Sequence, residues 1–153
     1  MKMIPALSLL LLVAITARAE QPYNETADAR QEVKTAVAQA AASKKSVVVV
    51  FGANWCGDCK MLDATMKSGE TATLLARDFN IVKVNVGRFD KNVELAKECG
   101  VSLDKGIPAI AIISGDNKVL YSTKQGELAD ARKMGSQAIY EFFKRTITPV
   151  AAN

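Results

Sequence analysis

The stretch Val47-Val48-Val49-Val50-Phe51-Gly52-Ala53-Asn54-Trp55-Cys56-Gly57-Asp58-Cys59-Lys60-Met61 sets the reading of the 153-residue sequence. Val47 to Phe51 is an unbroken β-branched and aromatic run, the pattern of a central strand buried on both faces. Beyond the cysteines, Met61, Leu62, Met66, Leu74, Leu75 and Phe79 recur at helical steps, which predicts an amphipathic helix over 60–79. Ser68-Gly69-Glu70 breaks or bends it in the middle. The cysteine pair therefore sits where a buried strand turns into a helix, with Cys56 at the helix N-terminus. Unpaired backbone N–H groups and the helix dipole there favour a thiolate, the attacking form of cysteine. Two intervening residues place Cys59 one turn along, able to close back on Cys56.

Outward from this stretch the elements alternate. Ala27, Ala29, Val33, Ala36, Val37 and Ala40 predict a helix that starts near Thr26 and ends at Ser43-Lys44-Lys45. Residues 81–86 alternate apolar positions with Lys83 and Asn85 and predict a second strand. Asn92 to Cys99 reads as a short helix closed by Gly100. Ala109–Ile113 and Lys118–Tyr121 are strands joined by the turn Ser114-Gly115-Asp116-Asn117. A last amphipathic helix runs from about Asp130 to Thr146. This order describes one α/β domain: a parallel βαβ unit, then an antiparallel hairpin, with helices on both faces.

Composition narrows the chemistry. The sequence contains no histidine, which excludes Ser-His-Asp and Cys-His hydrolases and His-ligated zinc or copper. A structural zinc site would need two ligands beyond the Cys-x-x-Cys, and only Cys99 remains. A purely structural disulfide stays open as an alternative, because exported proteins carry them. The formal charge of +4 is small and evenly spread, so nucleic acid is not an expected partner.

The beginning of the sequence reads as an address. Lys2 precedes an apolar stretch from Ile4 to Ile15, and Ala17-Arg18-Ala19 has the small-x-small form of a signal-peptidase site. A signal peptide over 1–19 and a single domain over 20–153 are expected, with a buried N-terminal helix as the alternative. The apolar run is too short for comfortable membrane spanning, so stable membrane insertion is not expected. The destination is outside the cytoplasm, and the periplasm if the source is Gram-negative. Removing residues 1–19 takes away Lys2 and Arg18, leaving 18 basic against 16 acidic residues.

At Phe51 to Met61 the sequence resembles the active-site segment of the thioredoxin superfamily, and the resemblance extends over nearly all of residues 20–153. It implies a thioredoxin fold, a central mixed sheet of about four strands flanked by helices. It also implies thiol–disulfide exchange with Cys56 as nucleophile and Cys59 as resolving thiol, and no bound cofactor or metal. Gly106-Ile107-Pro108-Ala109 matches the second family element. There Ile107 and Pro108 line the substrate groove beside Trp55, Gly57 and Asp58, with Pro108 in the cis form; an ordinary trans turn proline is the alternative. Gly126 resembles the glycine that completes the groove, or is an ordinary loop glycine. Lys83 falls where the family places a lysine behind the active site, or is simply a solvent-facing strand residue. Trp55 is either a shield beside a docked partner or a core aromatic.

Two departures from the family pattern bear on redox poise. Val50 stands where thioredoxins keep a buried acid that moves the proton of the second cysteine. Asp58 stands where they carry proline, and its carboxylate disfavours the Cys56 thiolate by like-charge repulsion. That tilts the expectation toward a reductase. The expected partners are disulfide-containing exported proteins and a membrane-bound thiol–disulfide electron donor. A non-catalytic binding module that uses the same groove is the rival reading, and a copper chaperone the third. Cys99, beside Gly100 at a helix end, is expected to be a small buried hydrophobe, with an auxiliary thiol as the alternative.

Overall fold

The computed structural model describes residues 21–151. The signal peptide expected over 1–19 lies outside the described residues. Helix α1 spans Ala29–Ser43, strand β1 Ser46–Gly52, helices α2 Gly57–Met66 and α3 Gly69–Asp78, and strand β2 Phe79–Asn85. Helix α4 (Val93–Glu98), a short 3-10 turn (Leu103–Lys105), strands β3 (Ala109–Ile113) and β4 (Val119–Ser122), and helix α5 (Ala131–Ala151) complete the chain.

The strands lie in the order β2-β1-β3-β4. β1 runs parallel to β2 and antiparallel to β3, and β3 pairs antiparallel with β4. β1 is thus an interior strand, and Val47 to Phe51 are fully buried, as the unbroken apolar run requires. Alternation divides its side chains between two cores. Val47, Val49 and Phe51 meet Val82 and Val84 of β2, and Val86 just beyond it, under Val33, Ala36, Val37 and Ala40 of α1. Val48 and Val50 meet Ile110 and Ile112 of β3 under Leu62, Leu75 and Phe143, which come from α2, α3 and α5.

Several element boundaries differ from the sequence expectation, each for a local reason. α1 starts at Ala29, not Thr26, because the Asp28 carboxylate accepts a hydrogen bond from Gln31 N at 3.0 Å and caps the first turn. Ser68-Gly69 separates two helices: Gly69 takes φ +56, outside the right-handed helical region. Phe79 opens β2 although its apolar spacing continues that of α3. It packs in the same core as Leu75, so apolar periodicity does not register the switch from helix to strand. β2 is an edge strand, and Ile81 on its outward side is exposed. The last helix is kinked at Gly135, where φ is +74.

Candidate active site

Strand β1 delivers the chain to the site and stops at Gly52. A short turn follows, closed by Cys56 N donating to Ala53 O at 3.1 Å, and α2 begins at Gly57 with Cys56 as its cap. Cys56 and Cys59 are joined by a disulfide with a Cα–Cα distance of 5.2 Å. The first turn of the helix aims its backbone donors at the nucleophile: Cys59 N–H points to Cys56 Sγ at 3.1 Å. This contact supports a thiolate at Cys56 once the bond is reduced. Cys56 is 6% exposed and Cys59 fully buried, so an incoming thiolate reaches Cys56 first.

The loop before β3 closes over the pair. The Ile107–Pro108 peptide bond is cis, and the Ile107 carbonyl oxygen lies 3.7 Å from Cys56 Sγ. Gly106 has φ +103, and Gly126 lies against this loop, where an added Cβ would collide with the Lys105 carbonyl oxygen. Trp55 stands on the rim and is 50% exposed, so it is not a core aromatic. Its indole Nε1 donates to Gly87 O at 2.8 Å, and its ring meets Phe89 edge-on at 6.1 Å.

Asp58 is not a bare carboxylate. It accepts hydrogen bonds from Arg132 N at 3.0 Å and from the Arg132 guanidinium at 3.2 Å. Partial burial pushes its carboxyl upward, but the hydrogen bonds and charge of Arg132 outweigh this and hold it below the ordinary range. The same guanidinium lies across Gly57, where a Cβ would meet its Nη1 at 3.1 Å. Arg132 comes from α5, and no feature near the cysteines announces it. Its presence weakens the repulsion between Asp58 and a Cys56 thiolate.

Behind the pair, Val50 brings no acid, yet a buried carboxylate is present. Asp63 of α2 is 4% exposed and ion-paired to Lys83 of β2 and, at 2.9 Å, to Lys67 one helical turn on. Burial raises its carboxyl, and the hydrogen bonds and charges of the two lysines more than offset that, leaving it below the ordinary range. Lys83 pairs in register with Val50, and its side chain is 16% exposed, so it is not a solvent-facing strand residue. Lys83 is thus tied to the helix that carries the cysteines, and the acid it meets comes from that helix, not from β1.

Tyr23, ahead of α1, is also anchored to the site. Asn54, immediately before Trp55, accepts from Tyr23 N at 3.0 Å and donates to Tyr23 O at 2.8 Å. Cys99 is a free, buried cysteine; burial first, and Glu98 second, push its thiol upward, which Arg30 offsets only in part. That makes it a poor nucleophile. Among the described residues no helix is long and apolar enough to cross a membrane.

Comparison with known proteins agrees with this geometry. The solved disulphide isomerase from Xylella fastidiosa Temecula1 is 45% identical, with a TM-score of 0.78 over 84% of this chain and 98% of that one. The thioredoxin of Buchnera aphidicola subsp. Baizongia pistaciae is 33% identical over 87 residues, which is 57% of this chain and 71% of that protein. Thioredoxin-1 of Drosophila yakuba is 38% identical over 61 residues, and the match spans only 51% of that relative's length. Residues 28–115 match the family described as Thioredoxin-like. With its four-stranded mixed sheet and its Cys56–Cys59 disulfide at the head of α2, the chain belongs to the thioredoxin-like family.

Proposed function

We propose that this protein is an exported thiol–disulfide oxidoreductase that exchanges electrons with protein disulfides through Cys56 and Cys59, leaning modestly toward reduction. The observation that carries the reading is the disulfide itself, capped by the first turn of α2 and faced by the Ile107 carbonyl. In the reducing direction, the Cys56 thiolate attacks a substrate disulfide and forms a mixed disulfide. Cys59 then attacks Cys56 Sγ, releasing the second substrate thiolate and restoring the Cys56–Cys59 bond. Ile107 and Pro108 hold the substrate backbone, and Trp55, Gly57 and Asp58 border it. The dithiol is the redox centre, so no cofactor enters the scheme.

Asp58 supports the reductive lean, because a carboxylate beside Cys56 favours the disulfide over the thiolate. Arg132 offsets part of that charge, which is why the lean is modest. Residues 1–19 serve as the signal peptide and 20–153 as one domain. The electrons come from a membrane-bound thiol–disulfide carrier, and the substrates are exported proteins with disulfides.

Reduction of insulin disulfides in the presence of a small dithiol tests the central claim. Turnover by the wild type and its loss in Cys56→Ser are expected. Equal, negligible turnover by both would leave a binding module as the correct description.

A further inference from the structure

Gly52 ends β1 on the same face as Val48 and Val50, the face covered by α2. Lacking a side chain, it leaves a space that two groups enter. A Cβ there would collide with the Tyr23 hydroxyl and would meet Cys59 Sγ at 3.0 Å. The phenol oxygen and the resolving sulfur thus lie side by side against one backbone position. Tyr23 is 1% exposed, and among the described residues its hydroxyl is the buried side-chain polar atom with no hydrogen-bond partner. A buried hydroxyl left unpaired costs free energy, so a group held this way invites a partner in another state of the protein. The ring is also held in place: Asn54 clamps the Tyr23 backbone on both sides, and Lys83 Nζ lies 5.9 Å from the ring centroid.

We propose that the Tyr23 hydroxyl is the hydrogen-bond donor that receives the Cys59 sulfur when the Cys56–Cys59 disulfide opens. The inference rests on the thiol-exchange reading of the same site and names a residue that reading does not use. When a dithiol reduces the protein, its thiolate attacks Cys56 Sγ and forms a new S–S bond. The Cys56–Cys59 bond breaks, and its electron pair leaves on Cys59 Sγ, beside the Tyr23 O–H. The second thiol of the reductant then displaces Cys56, so two electrons pass from the dithiol to the protein. Burial, and secondarily the Asp63 charge, push the phenol's pKa upward. It therefore keeps its proton and acts by donating a hydrogen bond. The charged groups that act on the Tyr23 phenol are Asp63 of α2 and Lys83 of β2, which are paired with each other, and Asp58, next to Cys59 in sequence, is paired with Arg132 of α5. Val50 of β1 adds no charge.

The test is Tyr23→Phe, which removes one oxygen and keeps the ring. Isotope-labelled cysteine NMR follows Cys59 in Cys56→Ser, where no second active-site thiol titrates with it. The Cys59 pKa is expected to rise by about one unit on Tyr23→Phe, a tenfold fall in thiolate fraction below the pKa. Reduction of the intact disulfide by dithiothreitol, read by the fluorescence of Trp55, is expected to slow several-fold as the leaving thiol becomes more basic. The oxidised protein should lose no stability, since the hydroxyl has no partner there. An unchanged Cys59 titration in a folded Tyr23→Phe protein would overturn the proposal. Because the titration needs no turnover, a failed insulin assay would strike the functional reading and leave this measurement valid. If Tyr23→Phe failed to fold, Gly52→Ala, which drives the hydroxyl off its seat, would be titrated in the same way.

Discussion

Asp63→Asn preserves the shape of a buried side chain and removes the charge that Lys83 and Lys67 share. Asp63 is 4% exposed and the Lys83 side chain 16%, so that pair approaches the fully buried limit, where deleting one partner costs about 3–5 kcal/mol. The residual exposure of Lys83 puts the loss at the low end of that range. The Lys67 side chain is 51% exposed, and its i,i+4 pairing adds only about 0.5 kcal/mol. The total, about 3.5 kcal/mol, is a large part of the stability of a domain this size. With a urea slope of about 1.5 kcal/mol per molar, the unfolding midpoint falls by about 2 M. The loss also has a pH signature. The folded carboxyl titrates below its ordinary value, so between the two values the unfolded chain binds the extra proton and stability rises with pH. The contribution of Asp63 is complete above the ordinary carboxyl range and disappears as the pH falls through the lowered folded value. Urea titrations of both proteins at a series of pH values should show a gap that is widest near neutrality and closes in acid. A gap that stays constant into strong acid, or no gap at neutral pH, would refute the reasoning.

Arg132→Ala strips Asp58 of its guanidinium while leaving the backbone donor. The Cys56 thiolate then feels more of the carboxylate, and the redox potential measured against glutathione should fall on the order of 10 mV. Arg132 is 67% exposed, so this shift should shrink as salt is raised. Cys99 should resist maleimide in the native oxidised protein and react once urea unfolds it, as mass spectrometry would record. Rapid native labelling would contradict its burial.

What could be read along the chain was whatever neighbours in sequence control. The run Val47–Phe51 is unbroken because both faces of β1 are covered, so composition alone placed it inside the sheet. Cys56 heads a helix because the helical apolar pattern begins directly after the pair. Gly69 and the hairpin turn at 114–117 announced themselves through residues that favour breaks. Boundaries were harder: Phe79 continues the spacing of α3 and yet opens β2, because its core contact is the same in either conformation.

The redox pair, its place between strand and helix, and the fold that follows were determined by the sequence alone, because local backbone preference and apolar spacing act over a few residues. Its electrostatic setting was decided only in three dimensions. Asp58 reads as a free acid until Arg132, 74 residues away, folds onto it. Val50 reads as a missing acid until α2 turns Asp63 inward to Lys83. Tyr23 lies ahead of the first helix, with nothing beside it in sequence that ties it to the cysteines, until Gly52 leaves space for its hydroxyl beside Cys59. Charge and hydrogen bonding depend on distance through space, and chain packing brings these groups together with no periodic trace in the sequence.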